Sequence, residues 1–167
     1  MNRRTEPRRP KIVGVMGGGA ADGAVCRMAE ELGRRIAENG WILLTGGRAA
    51  GVMQAASRGA RAADGITVGI LPDDHRAGVS EHVLIPILTG MGNARNAINV
   101  LTSDVVVALA GGSGTISEVA LALKVGRPVV LLGFDLRSTF PAESAAERLV
   151  LVQTPAEVMT ALERLLR

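Results

Sequence analysis

The sequence has few aromatic residues, a single cysteine and no long apolar run. Its aromatic side chains are Trp41, Phe134 and Phe140, with no tyrosine among 167 residues. Protein surfaces that stack nucleic-acid bases need exposed aromatic groups, so this scarcity argues against that class. A lone Cys26 excludes an intrachain disulfide framework and a metal site built from clustered cysteines. No apolar run reaches the roughly 20 residues of a membrane span or resembles a signal-peptide core. We therefore expect a cytoplasmic protein without membrane contact.

The chain also has little net charge outside its first ten residues. Its formal charge is +3, and residues 1–10 contain four arginines and one glutamate, which leaves 15 basic and 15 acidic residues in the remainder. We predict a flexible basic tail over residues 1–10 and one ligand-binding domain over residues 11–167. Nucleic-acid binding through the tail is one function to consider, but the neutral domain argues against it.

Apolar residues make up 47% of the chain, and 21 glycines punctuate it. Short β-branched runs alternate with amphipathic helical patterns. The runs are continuously apolar, which is typical of strands buried on both faces of a parallel sheet. This order predicts a single-domain α/β fold: a Rossmann-like, doubly wound, mostly parallel sheet of about seven strands with helices on both faces. The predicted strands are 12–16, 41–44, 67–71, 83–88, 105–109, 129–132 and 149–152. Residues 134–148 are predicted to form a loop or an irregular helix.

Glycine-rich turns follow four of the predicted strands, and each opens a helix. Ligands of parallel sheets bind beyond the carboxyl ends of the strands. There, helix N-termini offer unpaired N–H groups, and glycine lets the backbone approach a phosphate closely. Tight turns alone would explain one such loop, but four predict a site for an anionic, phosphorylated small molecule, with Arg48 and Arg95 as clamps. The four turns are Gly17-Gly18-Gly19, Thr45-Gly46-Gly47-Arg48, residues 89–95 and Gly111-Gly112-Ser113-Gly114-Thr115.

Several common nucleotide and metal sites do not fit the sequence. The dinucleotide pattern G-x-G-x-x-G requires a third glycine where Asp22 stands, and no acidic residue ends the second predicted strand. The Walker pattern of P-loop proteins is absent. Lys11 and Lys124 are not placed to form a Schiff base. The acidic and histidine residues at 73–75 and 81–82 match no metal-ligand spacing and indicate a solvated loop, so no metal site is predicted.

The residues alone leave two questions open: the role of Glu118, and what covers the apolar helix near residues 116–125. The spacing of Thr115 and Glu118 fits a helix capping box. Alternatively, Glu118 lies at the ligand edge and assists, with Arg95, the cleavage of an N-glycosidic bond through an oxocarbenium-like transition state. The helix near residues 116–125 is apolar on almost all sides, which favours a homo-oligomer (dimer or tetramer) over simple cover by residues 134–148.

Residues 111–118 resemble the P-G-G-x-G-T-x-x-E motif of the LOG-like (lysine decarboxylase-like) family, with Ala110 where the motif has proline. Members of that family are Rossmann-type phosphoribohydrolases that act on cytokinin nucleotides. The resemblance implies that Arg95 and Glu118 would be the catalytic pair of a nucleoside 5′-monophosphate phosphoribohydrolase. In such an enzyme Arg95 would orient the substrate, and Glu118 would stabilise the ribosyl cation as the free base leaves.

A closer resemblance extends through nearly the whole chain. Segments 12–17, 40–48, 51–53, 85–87, 94–95, 98–99 and 118–124 are similar to the molybdenum cofactor carrier proteins. This resemblance implies an oligomeric, non-catalytic protein that binds and protects molybdenum cofactor, a phosphorylated molybdopterin, and carries it to molybdoenzymes. The hydrolase is the alternative. The residues expected to bind the cofactor are Gly17, Gly18, Gly19, Thr45, Gly46, Gly47, Arg48, Arg95, Gly111, Gly112, Ser113, Gly114, Thr115 and Glu118.

Overall fold

Seven parallel strands form one sheet in the order β4-β3-β2-β1-β5-β6-β7. The structure is a computed structural model and describes residues 9–167. It confirms the predicted α/β fold, and the bounds differ mainly at β4, which begins two residues later than predicted. The strands are β1 Ile12–Met16, β2 Ile42–Thr45, β3 Thr67–Leu71, β4 Ile85–Leu88, β5 Val105–Leu109, β6 Val129–Leu132 and β7 Leu149–Val152.

Helices cover both faces of the sheet and enclose two apolar cores. One core lies beneath α1, α2 and α6, and the other lies beneath α3 and α4. The short α5 falls within the stretch predicted as a loop or irregular helix. The helices are α1 Gly23–Glu38, α2 Gly51–Ala62, α3 Asn96–Thr102, α4 Ser113–Lys124, α5 Pro141–Ala145 and α6 Pro155–Leu165, and a 3₁₀ turn over Gly92–Arg95 leads into α3.

The helices α1 and α2 pack unusually closely through two glycines. A Cβ atom added at Gly33 would collide with the carbonyl group of Ala56, and one added at Gly59 would collide with that of Glu30. Backbones can approach this closely only where no side chain intervenes. The contact fixes α2 against α1, and the Val52 amide at the start of α2 donates a 3.1 Å hydrogen bond to the carbonyl of Gly18.

The sheet order creates a crevice between β1 and β5. These strands are neighbours in the sheet, but the chain continues from β1 toward β2 and from β5 toward β6, in opposite directions. The connecting helices α1 and α4 pack on opposite faces. A crevice outside the carboxyl ends of two such strands is where doubly wound sheets bind ligands.

The predicted basic tail lies largely outside the described residues and stays a prediction. Of its residues, Arg9 is described, and its Nη2 lies 2.6 Å from Asp104 Oδ1 at the amino end of β5. Asp104 Oδ2 also accepts a 2.8 Å hydrogen bond from the Ile12 amide. Within residues 9–167, none of the helices has the length and apolar character needed to cross a membrane.

Candidate functional site

A cleft of about 200 Å³ opens at the β1–β5 crevice, between the glycine loop after β1 and the amino end of α4. It brings together residues from all four predicted glycine-rich turns, with Asn93 and Arg95 coming from residues 89–95. The predicted site residues that line it are Gly17, Gly18, Gly19, Gly46, Arg95, Gly112, Gly114, Thr115 and Glu118.

The glycines of the cleft fall into two groups. A Cβ atom at Gly17 would lie 2.6 Å from Cγ2 of Val52, and one at Gly111 would lie 2.8 Å from the amide nitrogen of Gly18. These two positions are therefore glycine because the loops pack against their neighbours. At Gly112 and Gly114, by contrast, an added Cβ atom would meet nothing within 4 Å. Glycine at these two positions leaves open space in front of α4.

The amino end of α4 is available to an anion. Its N-cap residue is Gly112, and no side chain caps the first turn. The first N–H groups of a helix have no partner within the helix, and they carry partial positive charge. Because Gly112 and Gly114 add no bulk, oxygen atoms of a phosphate or another oxyanion can reach these N–H groups directly.

Arg95 supplies the positive side chain of the cleft. Its Nη1 donates a 2.6 Å hydrogen bond to the carbonyl of Ile70 in β3. Its Nε is buried without a hydrogen-bond partner among the described residues. Burial lowers the pKa of the guanidinium, while the nearby Glu118 carboxylate acts in the opposite direction. A Cβ atom at Gly46 would collide with this guanidinium and would lie 2.7 Å from Met53 Sδ, so Gly46 makes room for Arg95.

Glu118 lies in the same cleft and is only 7% exposed. Burial raises the pKa of its carboxyl group, although a hydrogen bond from Asn99 and the charge of Arg95 act to lower it. The capping-box interpretation of Thr115 and Glu118 is wrong. The helix begins at Ser113 with Gly112 as its N-cap, so Thr115 already lies within the first turn and caps nothing.

Five predicted residues do not line the cleft. Gly111 packs against Thr115 and the Gly18 backbone, and Ser113 lies in the first turn of α4. Thr45 is fully buried, and its Oγ1 accepts a 3.0 Å hydrogen bond from the Gly47 amide. Gly47 has φ +78° and packs against β3. These two residues shape the turn after β2 rather than the surface of the cleft.

Arg48 also lies outside the cleft lining, although the sequence pointed to it as an anion clamp. Its Nη2 forms an ion pair with Asp73 Oδ2 at 2.8 Å. Asp73 belongs to the loop between β3 and β4, and the same loop forms an isolated antiparallel bridge between Val79 and Arg48. The guanidinium that was expected to hold the ligand is thus already engaged by a carboxylate.

Four residues that sequence reasoning did not select also line the cleft: Met16, Met53, Asn93 and Asn96. The methionines occupy apolar positions that sequence alone cannot distinguish from core. Asn96 is 8% exposed and donates a 3.0 Å hydrogen bond to Ser117 Oγ. Asn96 and Asn99 are polar residues three apart on α3, and this spacing was a signal that could have placed them on one buried face. Within residues 9–167, no group of three or more His, Cys, Asp or Glu side chains could hold a metal ion.

Fold and cleft together define a Rossmann-type protein with a glycine-lined crevice at the point where the strand order reverses. A family model described as the SLOG cluster4 family matches residues 10–159, and the chain belongs to this family.

Similar proteins carry two different names. A molybdenum cofactor binding protein of the phototrophic bacterium Rippkaea orientalis is 46% identical, with a TM-score of 0.90 over 96% of this chain and 100% of that one. The molybdenum cofactor carrier protein of Chlamydomonas reinhardtii is 44% identical, with a TM-score of 0.85 over 95% and 99%. A cytokinin riboside 5′-monophosphate phosphoribohydrolase of Mycobacterium tuberculosis is 30% identical over 80% of this chain and 83% of its own. These likenesses confirm the predicted resemblance to cofactor carriers within the LOG-like family.

Proposed function

We propose that this protein binds, protects and carries molybdenum cofactor in the cleft between β1 and β5. Two proteins named for binding or carrying that cofactor match nearly the full chain at 44% and 46% identity, which supports this function. The observation that carries the assignment to the cleft is the uncapped amino end of α4, behind the open positions Gly112 and Gly114. The phosphate and metal-oxo oxygens of the cofactor are anionic, as such a helix end requires.

Arg95, which lines the same cleft, would complete the anion site. Its Nη1 is held by the Ile70 carbonyl, whereas no hydrogen bond from its Nη2 occurs within residues 9–167 and Nη2 is not among the buried unpartnered atoms of that range. A guanidinium with unused N–H groups in a partly buried site forms strong, charge-assisted hydrogen bonds with oxyanions. Arg48, which is paired with Asp73, would contribute only long-range positive charge. In this proposal the cargo leaves unchanged and passes to molybdoenzymes.

A second candidate function is phosphoribohydrolase activity on nucleoside 5′-monophosphates. One observation favours it: Arg95 and Glu118 line the same cleft, as a catalytic pair would have to. The 30% identity to the mycobacterial phosphoribohydrolase supports the same candidate. In that reaction the ionised carboxylate of Glu118 would stabilise the developing ribosyl cation.

A paired assay separates the two functions. Purified protein is incubated with molybdopterin and passed through a desalting column, and the retained pterin is quantified by its absorbance. In parallel, the protein is incubated with AMP or a cytokinin monophosphate, and released base is measured by chromatography. We expect stoichiometric retention of molybdopterin and no base release. Base release that Glu118→Gln abolishes would overturn the pure carrier, and retention without base release would exclude the hydrolase.

We also propose that the protein is a homo-oligomer that associates through the sheet face bearing α3 and α4. Ile85 and Ile87 of β4 pair with Val68 and Ile70 of β3. Those β3 residues pack in the core beneath α3 and α4, so the two isoleucines lie on that face. They are 46% and 42% exposed, and Leu101 of α3 is 57% exposed. Apolar surface of this kind is typical of a subunit interface.

A further inference from the structure

The cleft contains a carboxylate, although a negative charge there weakens the binding of an anion. Glu118 lines the same cleft as Arg95 and the amino end of α4. A buried carboxylate repels phosphate and molybdate, and the low polarity of its surroundings strengthens that repulsion. A site for bare oxyanions would therefore bind better with an uncharged residue at position 118. The presence of Glu118 points to a ligand with a second chemical feature.

The fold holds this carboxylate in one orientation through Asn99. Asn99 has no exposed surface, and its Nδ2 donates a 2.7 Å hydrogen bond to Glu118 Oε1. The amide oxygen of Asn99 is buried without a hydrogen-bond partner among the described residues. Burying an unpaired amide oxygen costs free energy. The bond to Glu118 is the only one that the Asn99 side chain makes within residues 9–167, which indicates that Asn99 serves to orient the carboxylate.

The second oxygen of Glu118 is left for the ligand. Oε1 is taken by Asn99, and no hydrogen bond to Oε2 occurs within residues 9–167. Oε2 is not among the buried unpartnered atoms of that range, so it is accessible from the cleft. An ionised carboxylate can only accept hydrogen bonds. The group that meets Oε2 must therefore be an N–H or O–H donor.

We propose that Glu118, positioned by Asn99, determines ligand specificity by accepting a hydrogen bond from an N–H or O–H group of the cargo. The cleft then selects anions that also carry a donor-bearing group over bare oxyanions. The aminopyrimidinone ring of a pterin is such a group, since its amino and ring N–H donors lie on one edge. This choice of cargo rests on the proposed carrier function, and the donor requirement follows from the geometry of Glu118.

The test compares two ligands in wild type and Glu118→Gln. Molybdopterin carries both a phosphate and N–H donors, whereas molybdate at mildly alkaline pH has no donor. We expect Glu118→Gln to weaken molybdopterin about tenfold or more, because a charge-assisted hydrogen bond is lost. Molybdate should bind the variant equally or more tightly, because a repelling charge is gone. Equal loss for both ligands, tighter binding of both, or no change for molybdopterin would each overturn the inference.

Asn99→Leu tests the positioning role. This variant removes the hydrogen bond to Glu118 while filling the same buried space, and Ser103→Ala is the matched control. Ser103 Oγ bonds the Asn99 carbonyl and not the carboxylate. We expect Asn99→Leu to weaken molybdopterin severalfold, to leave molybdate unchanged, and to add little in the double variant with Glu118→Gln. Full additivity would show that Asn99 does not act through Glu118, and thermal unfolding confirms that each variant folds.

Failure of the carrier function and failure of this inference would appear in different measurements. Loss of the carrier function would appear as no retention of molybdopterin by wild type. The inference depends only on the ratio of the dissociation constants of wild type and variant, and on how that ratio differs between the two ligands. If wild type does not retain molybdopterin, AMP takes its place, since it also combines a phosphate with amino and hydroxyl donors. The same opposite response of AMP and molybdate is then expected, and its absence would overturn the inference.

Discussion

At the scale of single residues, the glycines around the cleft have different roles although they look alike in the sequence. Gly17 and Gly111 are required by close packing, since a Cβ atom there would collide with Val52 or with the Gly18 backbone. A Cβ atom added at Gly112 or Gly114 would meet no protein atom within 4 Å, so the missing side chains there matter only to a ligand. Adding one methyl group at a glycine therefore tests whether that glycine has a structural role or a role in binding.

Gly114→Ala should preserve the fold and damage the site. Alanine in the first turn of α4 meets no neighbour within 4 Å, and Gly→Ala in a compatible helix position stabilises by about 0.4–1 kcal/mol. The methyl group enters the cleft, so we expect molybdopterin to bind about tenfold more weakly. Thermal unfolding and calorimetric titration measure the two effects. Gly23→Ala at the start of α1, outside the cleft, is the control and should leave binding unchanged. Unaltered binding in Gly114→Ala would move the ligand away from α4.

Glu118→Gln should stabilise the fold in a pH-dependent way. Burial raises the pKa of Glu118 above its usual value of 4.5, so ionisation of this group is harder in the folded state than in the unfolded chain. The resulting destabilisation is absent below the usual pKa, grows as the pH rises from the usual to the raised value, and is constant above it. Near neutral pH we expect the variant to be more stable by roughly 0.5–2 kcal/mol. Urea unfolding near neutral pH and near pH ~4 measures the gain, which should vanish in acid. A gain of equal size at both pH values would contradict this cause.

At the scale of helices and strands, the close pair α1–α2 positions the glycine loop of the cleft. Gly59 faces the Glu30 carbonyl, and the obstacle to any side chain there is backbone rather than a flexible group. Room for a side chain at Gly59 would therefore require the two helices to move apart. The α2 amino end, which bonds the Gly18 carbonyl through Val52, would move with them.

Gly59→Ala should destabilise the protein by roughly 1–3 kcal/mol, because overpacking a close contact forces backbone shifts. Gly114→Ala is the matched control, since it makes the same chemical change in a helix where the methyl group meets nothing. Chemical unfolding of the two variants should give free-energy changes of opposite sign. A stable Gly59→Ala variant would show that α1 and α2 can separate without cost.

Most elements could be predicted from the sequence because their signals are local. Continuous apolar runs predicted the strands. At α6, both bonds of a capping box join Thr154 and Glu157, a pairing that depends only on local spacing. The start of α4 was mispredicted because its N-cap, Gly112, has no side chain to signal it. At β4, Thr67 Oγ1 accepts from the Leu84 amide, so the chain joins the sheet later than its apolar run suggests.

The part of the candidate site that the sheet topology determines could be predicted from the sequence. Glycine loops at the carboxyl ends of parallel strands must share one edge, and this brought Gly18, Arg95 and Gly112 together. Contacts between distant segments were not predictable. The pairing of Arg48 with Asp73 and the orientation of Glu118 by Asn99 both depend on how loops and helices pack. No periodicity or local spacing contains that information.

At the scale of the whole molecule, the two faces of the sheet are covered unequally. Part of the second apolar side of α4 is covered, as Leu121 packs in one core with Phe134, Leu136 and Phe140 of the following segment. Ile116 and Val125 of the same helix remain 41% and 47% exposed. Cover by the following segment thus accounts for Leu121, whereas Ile116 and Val125 stay exposed, as the predicted oligomer would require.

Leu101→Glu should dissociate the proposed oligomer. The charge would lie in the centre of the apolar surface formed by α3, α4 and β4, where a subunit interface cannot solvate it. Ala62→Glu on α2, exposed on the opposite face, is the control. Sedimentation velocity should show wild type and the control as oligomers and Leu101→Glu as a monomer. A monomeric wild type would refute the proposed association.

The crevice between β1 and β5 divides the chain into two consecutive halves, and the cleft draws on both. Gly18, Gly46 and Arg95 belong to the first half, whereas Gly112 and Glu118 belong to the second. A bound molecule would therefore add a further link between halves that already meet through the β1–β5 strand pair, through α1 with α6 and through α3 with α4. Its occupancy would add directly to the free energy of unfolding. Protein with bound cofactor should then resist heat and proteases better than protein without it. Loading with cargo would therefore also be visible as increased stability of the fold.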